Sequence, residues 1–446
     1  MAEIIIIGGG LAGCEAAWQA AEFGHHVQLF EMRPGKMTEA HTTDGLSELV
    51  CSNSLGSQLI TRASGLLFNE LKSLDSLLVD CAEQTQLPAG GALAVDRDKF
   101  SDLVSQKIFN HPNITVTRQE VVNLPQDPVV IASGPLTSNL LSQNLKIFTG
   151  EDNLFFYDAL APIITRESIN MDHAFFGSRY ERGATREGDY LNCPLTCDQY
   201  ELFIKELLGA KRNSLADFET RIDNGVKAGK GEYFEGCLPI EILAGRSPMS
   251  LAYGPMRPVG LFDPATGRRP YAVLQLRQDN IAGSLYNLVG FQTNLLYSEQ
   301  KRVLGVIPAL EKAEFVRFGQ MHRNTYISSP NLLYSTLGFK NNKTIYAAGQ
   351  ITGIEGYLGN IASGFVAGVN LSRVLDNQEP ISFPTATMIG ALCHYISNAD
   401  VLHFQPMKAN FGLLPFPELV SKTRKSRVDY WISQSQQAIS ELKQVL

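Results

Sequence analysis

Residues 3–13 read Glu-Ile-Ile-Ile-Ile-Gly-Gly-Gly-Leu-Ala-Gly, and this stretch decides the fold class. The apolar, β-branched run at 3–7 predicts a buried parallel strand. The glycines that follow have G-x-G-x-x-G spacing, which allows a tight turn, a close approach of a diphosphate to the backbone, and close packing of the next helix. Residues 11–23 predict that helix and residues 27–31 predict a second strand. The chain therefore begins with a βαβ unit that is typical of dinucleotide binding.

An acidic residue follows this unit at the position where such proteins bind a ribose. Glu31 ends the second predicted strand, 18 positions after Gly13. A carboxylate there suits ribose hydroxyls and disfavours the 2′-phosphate of NADP, which leaves FAD and NAD open. Two later Gly-terminated segments, at 132–134 and 346–353, favour FAD because they suit a long, extended ligand.

An apolar segment followed by glycines, like the one at the start of the chain, occurs again at 344–348, after a middle part of different composition. The chain has 446 residues, which exceeds the usual size of a single hydrophobic core. We therefore expect an α/β protein: a Rossmann-like FAD-binding domain formed by both chain ends, at 1–185 and 331–446, with an inserted α+β domain at 186–330. Residues 253–280, rich in Pro, Gly and Arg, are expected to be loop-rich. Further predictions are a strand at 129–132 and helices at 63–84, 97–109, 361–375 and 425–446.

Composition restricts the function classes. The net charge of −7 argues against broad, non-specific nucleic-acid binding, although a local basic groove stays possible. The sequence contains no run of about 18 apolar residues, so no membrane span is predicted. No signal peptide is expected at the N-terminus. The seven scattered cysteines indicate free thiols in a reducing cytoplasm.

Two cysteines are candidate nucleophiles. Cys51 and Cys237 lie among small, polar and turn-forming residues, where a thiol is accessible to a ligand. Each is equally open to the common alternative, a small buried hydrophobic side chain. The remaining five are interpreted as structural: Cys14, Cys81, Cys193, Cys197 and Cys393.

Arginines beside aromatic and amide residues form a second pattern. They occur at Arg257, Arg268–Arg269, Arg277 and in the segment 322–326. Such residues suit phosphates and a splayed or flipped-out base, but ordinary surface arginines have the same composition.

Long motifs make the sequence similar to a known family. They are GGGLAGCEAA at 8–17, FEMRP at 30–34, VCSNSLG at 50–56, PAGGALAVDR at 88–97 and MHRNTY at 321–326. Further motifs are DYLNCP at 189–194, the Cys237 segment and GFQT at 290–293. The resemblance covers nearly the whole chain. The sequence resembles the folate- and FAD-dependent tRNA (uracil-5-)-methyltransferases.

This resemblance implies an activity and its cofactors. FAD is reduced by NADH or NADPH, and 5,10-methylenetetrahydrofolate donates the carbon. The resemblance assigns Cys237 the attack on uracil C6, and it places Cys51 and Tyr357 near the flavin. The substrate is a structured RNA, usually uridine 54 of the tRNA T-loop, and the oligomeric state is left open. The cofactor-binding residues expected are Gly8, Gly9, Gly10, Leu11, Ala12, Gly13, Glu31, Met32, Arg33, Asn53, Arg97, Ser133, Gly134, Gly349, Gln350, Gly356 and Tyr357.

One departure from the family pattern leaves the target open. Gly359 and Asn360 stand where the family usually has an acid and a serine. The change is consistent with altered contacts to flavin or folate, or with another target such as ribosomal RNA. Three further functions compete with uracil methylation: wobble-uridine modification by the related larger FAD and folate enzyme, a plain flavin oxidoreductase, and an RNA-binding protein with a vestigial flavin site.

Overall fold

The predicted βαβ unit is present at the start of the chain in a computed structural model, which describes residues 2–38, 40–126, 128–181, 188–213, 227–233, 238–416 and 423–446. The strands of these ranges are β1 (Glu3–Ile7), β2 (His26–Phe30), β3 (Ser54–Ser57), β4 (Gln86–Leu87), β5 (Ala92–Val95), β6 (Ile114–Thr117), β7 (Val129–Ile131), β8 (Leu154–Ala159), β9 (Ile163–Thr165), β10 (Phe175–Gly177), β11 (Tyr190–Leu195), β12 (Lys227–Tyr233), β13 (Ala272–Gln278), β14 (Leu285–Leu288), β15 (Phe315–Arg317), β16 (Met321–Tyr326), β17 (Gly338–Phe339) and β18 (Asn342–Ala347).

The α-helices of the described ranges lie between and after these strands. They are α1 (Leu11–Glu22), α2 (Ala63–Ser73), α3 (Leu77–Gln84), α4 (Arg97–Asn110), α5 (Asn139–Thr149), α6 (Cys197–Leu208), α7 (Ile240–Arg246), α8 (Ser250–Tyr253), α9 (Tyr297–Leu304), α10 (Ser329–Leu332), α11 (Tyr357–Leu375), α12 (Met388–Asn398) and α13 (Arg424–Leu442).

The first sheet joins both ends of the chain. Its order is β17-β18-β7-β1-β2-β6, and every pair is parallel except β17 with β18. β7 pairs with β1 on one side and with β18 on the other, so strands more than 300 residues apart share one sheet. This confirms the predicted α/β class, with a Rossmann-like sheet made from both chain ends.

Helices α1 and α11 pack closely against each other because glycines allow it. A Cβ atom on Gly364 would lie 2.2 Å from the carbonyl oxygen of Ala12, and one on Gly368 would lie 2.6 Å from that of Ala16. The two glycines are one helical turn apart and face the same helix. Their contact brings the first turn of α11 next to the N-terminus of α1.

The second sheet is antiparallel and has its own core. Its order is β10-β11-β13-β14-β9-β15. Apolar residues of its strands, such as the opposed Leu276 and Leu288, share a hydrophobic core there with Phe203 of α6. Two strands of this sheet, β9 and β10, precede residue 186, and the domain limits 1–185 plus 331–446 and 186–330 stay a prediction.

The structure refines one local prediction and corrects another. The helix expected at 63–84 is two helices, because Asp75 adopts a left-handed φ of 58° and the Ser76 side chain caps α3 by accepting from the Val79 N–H. The segment expected to be loop-rich at 253–280 contains β13, whose residues are almost all buried. Packing between β11 and β14 decided its structure, not its composition.

Helices at the other predicted positions are present with shifted ends. The helix expected from 361 starts at Tyr357, and the tail helix runs over Arg424–Leu442. In the part of the chain that the structure describes, no helix is both long and apolar enough to cross a membrane.

Candidate dinucleotide cleft and adjoining cavity

Steric contacts explain why Gly8 and Gly13 of the loop after β1 must be glycine, and the reason differs between the two. Gly8 has a φ of +108°, and a Cβ there would lie 2.4 Å from the Ala132 carbonyl oxygen. A Cβ on Gly13 would lie 1.8 Å from the Gly8 carbonyl oxygen, so only glycine lets α1 start so close to β1. Gly10, by contrast, has open space around it. That space is where a diphosphate would approach the backbone.

The N-terminus of α1 has free donors at this loop. Gly10 is the N-cap residue and supplies no side-chain cap. The unpaired N–H groups of the first turn and the positive end of the helix dipole therefore face the open space beside Gly10. This arrangement binds anions such as a diphosphate.

A cleft runs from this loop along the carboxyl ends of the parallel strands. Most of the predicted cofactor-binding residues line it. Those lining the cleft are Gly8, Gly9, Gly10, Leu11, Ala12, Glu31, Met32, Arg33, Ser133, Gly134, Gly349, Gln350 and Tyr357. Ligands of doubly wound sheets bind at this edge, next to the point where strand order reverses.

Glu31 and Arg33 form a buried ion pair at one end of the cleft. One Glu31 oxygen accepts from the Gly9 N–H at 3.0 Å, and the other accepts from Arg33 Nε at 3.0 Å. Arg33 also donates to Glu48 at 2.9 Å. Burial raises the pKa of Glu31, but hydrogen bonds and charge from Arg33 outweigh it, so the pKa lies below the usual value. Glu31 is therefore ionised and holds the glycine loop as well as facing the cleft.

Asn360 supplies an unpaired polar atom on the opposite wall. It lies on the first turn of α11, is 9% exposed and lines the cleft. Its Oδ1 atom is buried and has no hydrogen-bond partner among the described residues. Such a group is normally satisfied by a ligand or water. Together with the open space at Gly10 and Gly134, it shows that the cleft fits an extended dinucleotide with hydroxyl groups.

The segment around Cys51 forms the inner end of the cleft and is held by distant residues. The Cys51 carbonyl oxygen accepts from Arg97 and from Arg317, each at 2.8 Å. The Cys51 N–H donates to the Tyr357 hydroxyl at 2.8 Å. Arg97 is itself fixed by Asp279 at 2.9 Å. The backbone at Cys51 is therefore held by the first residues of α4 and α11 and by the last residue of β15.

Burial keeps the Cys51 thiol protonated. It raises the pKa of Cys51 to about 11, with Asp158 adding to the rise and Arg317 and Arg97 opposing it. At neutral pH the side chain is a thiol and not a thiolate. This environment suits a group that holds a proton more than a resting nucleophile.

A second cavity lies on the other side of this segment. Val50 and Tyr357 line the cleft, whereas Cys51 faces the second cavity together with Arg277 and Asn287. The short stretch 50–54 is thus a wall between the two. Val50 and Cys51, adjacent in sequence, thus line different cavities.

Other predicted residues have different positions. Asn53 donates to the carbonyl oxygens of Val95 and Gln278, and like Arg97 it does not line the cleft. Gly13 and Gly356 do not line it either. As cofactor contacts, these four residues and those lining the cleft all remain predictions. Cys237 lies outside the described residues.

The arginine pattern divides into two groups. Arg257, Arg268 and Arg269 are exposed, as expected for RNA contacts or ordinary surface residues. Arg277 is 6% exposed and lines the second cavity, which excludes the alternative of an ordinary surface arginine. Sequence reasoning did not identify Arg317 or Asn287. The sequence had pointed to Asn360 only because Gly359 and Asn360 depart from the family pattern.

The fold and the cleft together define a dinucleotide-binding protein of the Rossmann-like class. Aquifex aeolicus GidA has the same fold: its form II crystal structure superimposes with a TM-score of 0.68 at 16% identity, over 99% of this chain and 73% of that chain. The family described as "Glucose inhibited division protein A" matches residues 3–379.

Full-length relatives are much closer in sequence. The methylenetetrahydrofolate–tRNA-(uracil-5-)-methyltransferase TrmFO of Exiguobacterium sibiricum is 49% identical over 444 residues, 99% of each chain. The TrmFO of Moorella thermoacetica is 53% identical over 426 residues, 95% of this chain and 94% of its own. The chain belongs to this methyltransferase family, within the wider GidA family, which confirms the resemblance stated from the motifs.

Proposed function

We propose that this protein methylates C5 of a uridine in RNA, namely uridine 54 of the tRNA T-loop. The carbon donor is 5,10-methylenetetrahydrofolate, and NADH or NADPH is the reductant. The observation that carries the proposal is the wall at 50–54, with a dinucleotide cleft on one side and a cavity containing Cys51, Arg277 and Asn287 on the other. Redox chemistry and base chemistry need such adjacent sites.

The overall reaction balances with these reactants. Uracil C5–H, the folate methylene group, one hydride from NAD(P)H and one proton give uracil C5–CH₃, tetrahydrofolate and NAD(P)⁺. When bound in the cleft, FAD supplies the two-electron chemistry that links nicotinamide to folate. Residues of this chain bind it: the α1 N-terminus at the diphosphate, Glu31 at a ribose and Asn360 at a hydroxyl group.

The two cysteines have different proposed roles. A sulfur anion must add to uracil C6 before C5 becomes nucleophilic, and we assign this addition to Cys237. Cys51 is assigned to proton handling at its Sγ atom, because it lines the second cavity and burial raises its pKa, which disfavours the thiolate that a nucleophile needs. Tyr357 and Arg97 hold the Cys51 backbone in place for that role.

The test is an assay of the holoenzyme with NADH or NADPH, 5,10-methylenetetrahydrofolate and transcripts of tRNA and ribosomal RNA fragments. Mass spectrometry of digested RNA is expected to find 5-methyluridine at position 54. Cys237→Ala is expected to lower the rate at least about a hundredfold, because a covalent nucleophile is lost. Cys197→Ala, a change of an exposed cysteine, is the matched control and is expected to leave the rate unchanged.

Several results would contradict the proposal. Methylation of ribosomal RNA alone would replace the target, and label transferred from S-adenosylmethionine would replace the donor. Oxidation of NAD(P)H on a small molecule, with no product in either RNA, would favour a plain flavin oxidoreductase.

The free thiols of the described residues also lead us to propose the cytoplasm as the compartment.

A further inference from the structure

The second cavity contains a buried amide that the protein does not satisfy. Asn287 is 2% exposed, and its Nδ2 atom has no hydrogen-bond partner among the described residues. Asn287 lines the cavity beside Cys51 and Arg277. A buried donor without an acceptor is costly, so an acceptor on a ligand is the natural partner.

The strand register explains why this amide faces the cavity. In the antiparallel pair β13–β14, Arg277 lies opposite Asn287 and Leu276 lies opposite Leu288. Successive side chains of a strand point to opposite faces, and opposed residues have Cβ atoms about 4.5–5.5 Å apart. The two leucines enter the hydrophobic core, so Arg277 and Asn287 form a cross-strand pair on the cavity face.

Arg277 is held rigidly beside Asn287. Its Nε donates to Asn53 Oδ1 at 2.8 Å, and its Nη2 donates to the Ser52 hydroxyl at 2.5 Å. Asn53 is fixed in turn through its bond to the Val95 carbonyl oxygen. Preorganised donors of this kind recognise an oxygen atom at a defined position.

The other walls of the cavity suit a flat, uncharged ring. Ala161, Val289 and Gly290 are small or apolar, and Cys51 is a neutral thiol. Gln292 adds one more neutral amide side chain. The combination of one cation, neutral amides and apolar walls fits a ring that carries carbonyl oxygens better than it fits a free anion.

We propose that Asn287, paired with Arg277, is the specificity-determining contact to the ring carbonyl of a pyrimidine lactam bound against Cys51. This inference rests on the proposed function. Two of its substrates carry that group: the target uracil and the pterin ring of the folate. The isoalloxazine ring of FAD carries it as well and is a competing occupant of the cavity. With either substrate, the Asn287 amide donates to a carbonyl oxygen of the ring.

The experiment compares Asn287→Ala and Asn287→Asp with the wild-type holoenzyme. The alanine variant removes the donor, and the aspartate variant replaces it with an acceptor opposite Arg277. Asn153→Ala is the matched control, since Asn153 is 3% exposed, bonds Ser142 and lines neither cavity. The melting temperature of the flavin-free protein reports whether each variant folds, and bound flavin content shows whether the ring is instead the isoalloxazine of FAD.

Two arms distinguish the two rings. The first measures the dissociation constant of tetrahydrofolate by titration calorimetry. The second measures kcat/KM on tRNA carrying uridine, 2-thiouridine or 4-thiouridine at the target, because sulfur is a weaker acceptor than oxygen. If the ring is the pterin, Asn287→Ala weakens tetrahydrofolate binding about tenfold. If the ring is uracil, one thio substitution lowers kcat/KM of the wild type about tenfold and lowers kcat/KM of the alanine variant much less.

Either result supports the proposal and names the ring. It is overturned if a folded Asn287→Ala variant matches wild type and Asn153→Ala in both tetrahydrofolate affinity and thio discrimination, or if it loses only bound flavin, which would assign the cavity to the isoalloxazine of FAD. Equal losses in Asn287→Ala and Asn153→Ala would also overturn it, since they would indicate general distortion. Failure of the proposed function is separate, because it would show as a wild-type protein that methylates no RNA.

Discussion

Glu355 is a buried carboxyl group that contacts a residue lining the dinucleotide cleft. It is 5% exposed, and its side chain accepts a hydrogen bond from Gln350. Burial raises the pKa of Glu355 to about 8, with Lys408 opposing the rise and Asp158 adding to it. At neutral pH the folded protein therefore keeps this group largely protonated.

This raised pKa predicts a pH-dependent stability. The folded state binds the proton more tightly than the unfolded state, so the contribution is fully present below about pH 4.5 and is lost as pH rises through about 8. Glu355→Gln does not titrate. Its free energy of unfolding relative to wild type is expected to increase by about 1.4 kcal/mol per pH unit within that window.

Urea unfolding at pH 5.5, 7.0 and 8.5 measures this difference. The exposed Glu379→Gln serves as the control and is expected to show a flat difference. A flat difference for Glu355→Gln as well would contradict the assignment of a raised pKa.

At the scale of elements, two glycines have different roles: Gly364 of α11 matters for stability, and Gly10, the N-cap of α1, matters for ligand binding. Gly364 has no room for a methyl group, since its Cβ would meet the Ala12 carbonyl oxygen at 2.2 Å. Gly10 has open space and a φ of −82°, which any residue adopts. A methyl group at Gly10 would enter the cleft where a diphosphate is expected.

The two alanine variants are expected to behave differently. Gly364→Ala pushes α1 from α11 and is expected to lower the free energy of unfolding by about 1–3 kcal/mol. Gly10→Ala is expected to change the stability of the cofactor-free protein by less than about 0.5 kcal/mol. It is nevertheless expected to weaken FAD binding strongly.

Thermal unfolding and FAD titration by flavin fluorescence separate the two effects. Wild-type affinity in Gly10→Ala would show that the diphosphate lies elsewhere. Unchanged stability in Gly364→Ala would show that the two helices tolerate a wider separation.

At the scale of the whole molecule, the cleft ties together parts of the chain that are far apart in sequence. Its walls come from the loop after β1, the segment 132–138, Gly349–Gln350 and the start of α11. A ligand that contacts all of them binds only the folded arrangement. Cofactor binding and global stability are therefore linked.

We expect FAD at about a hundredfold excess over its dissociation constant to stabilise the protein by about 2.7 kcal/mol. Calorimetry of flavin-free protein, with and without added FAD, measures the shift in melting temperature. Gly10→Ala supplies the control that lacks the shift. Equal melting temperatures with and without FAD in wild type would contradict binding in this cleft.

The local parts of the fold were predictable from neighbouring residues. The strand at 3–7, the glycine loop and α1 follow from β-branched side chains, glycine spacing and helical periodicity, which act within a few residues. The family followed from long motifs spread over the chain, and the full-length relatives confirm it.

Failures arose where tertiary packing outweighed composition. The stretch 272–278 looked irregular among prolines and arginines, but pairing with β11 and β14 made it a buried strand. The break at Asp75 depends on the fit of α3 against α1, where Glu15 accepts from Ser76 at 2.9 Å. Neither partner is a sequence neighbour.

By itself the sequence determined the class of ligand and the family, because backbone sterics and motif spacing are local properties. The tertiary structure alone decided the chemical state of the site. Burial raises the pKa of the Cys51 thiol, and the Cys51 N–H donates to the hydroxyl of Tyr357, 306 residues away. Burial and long-range partners set pKa values and leave Asn287 without an acceptor, and neither property exists until the distant strands and helices have packed together.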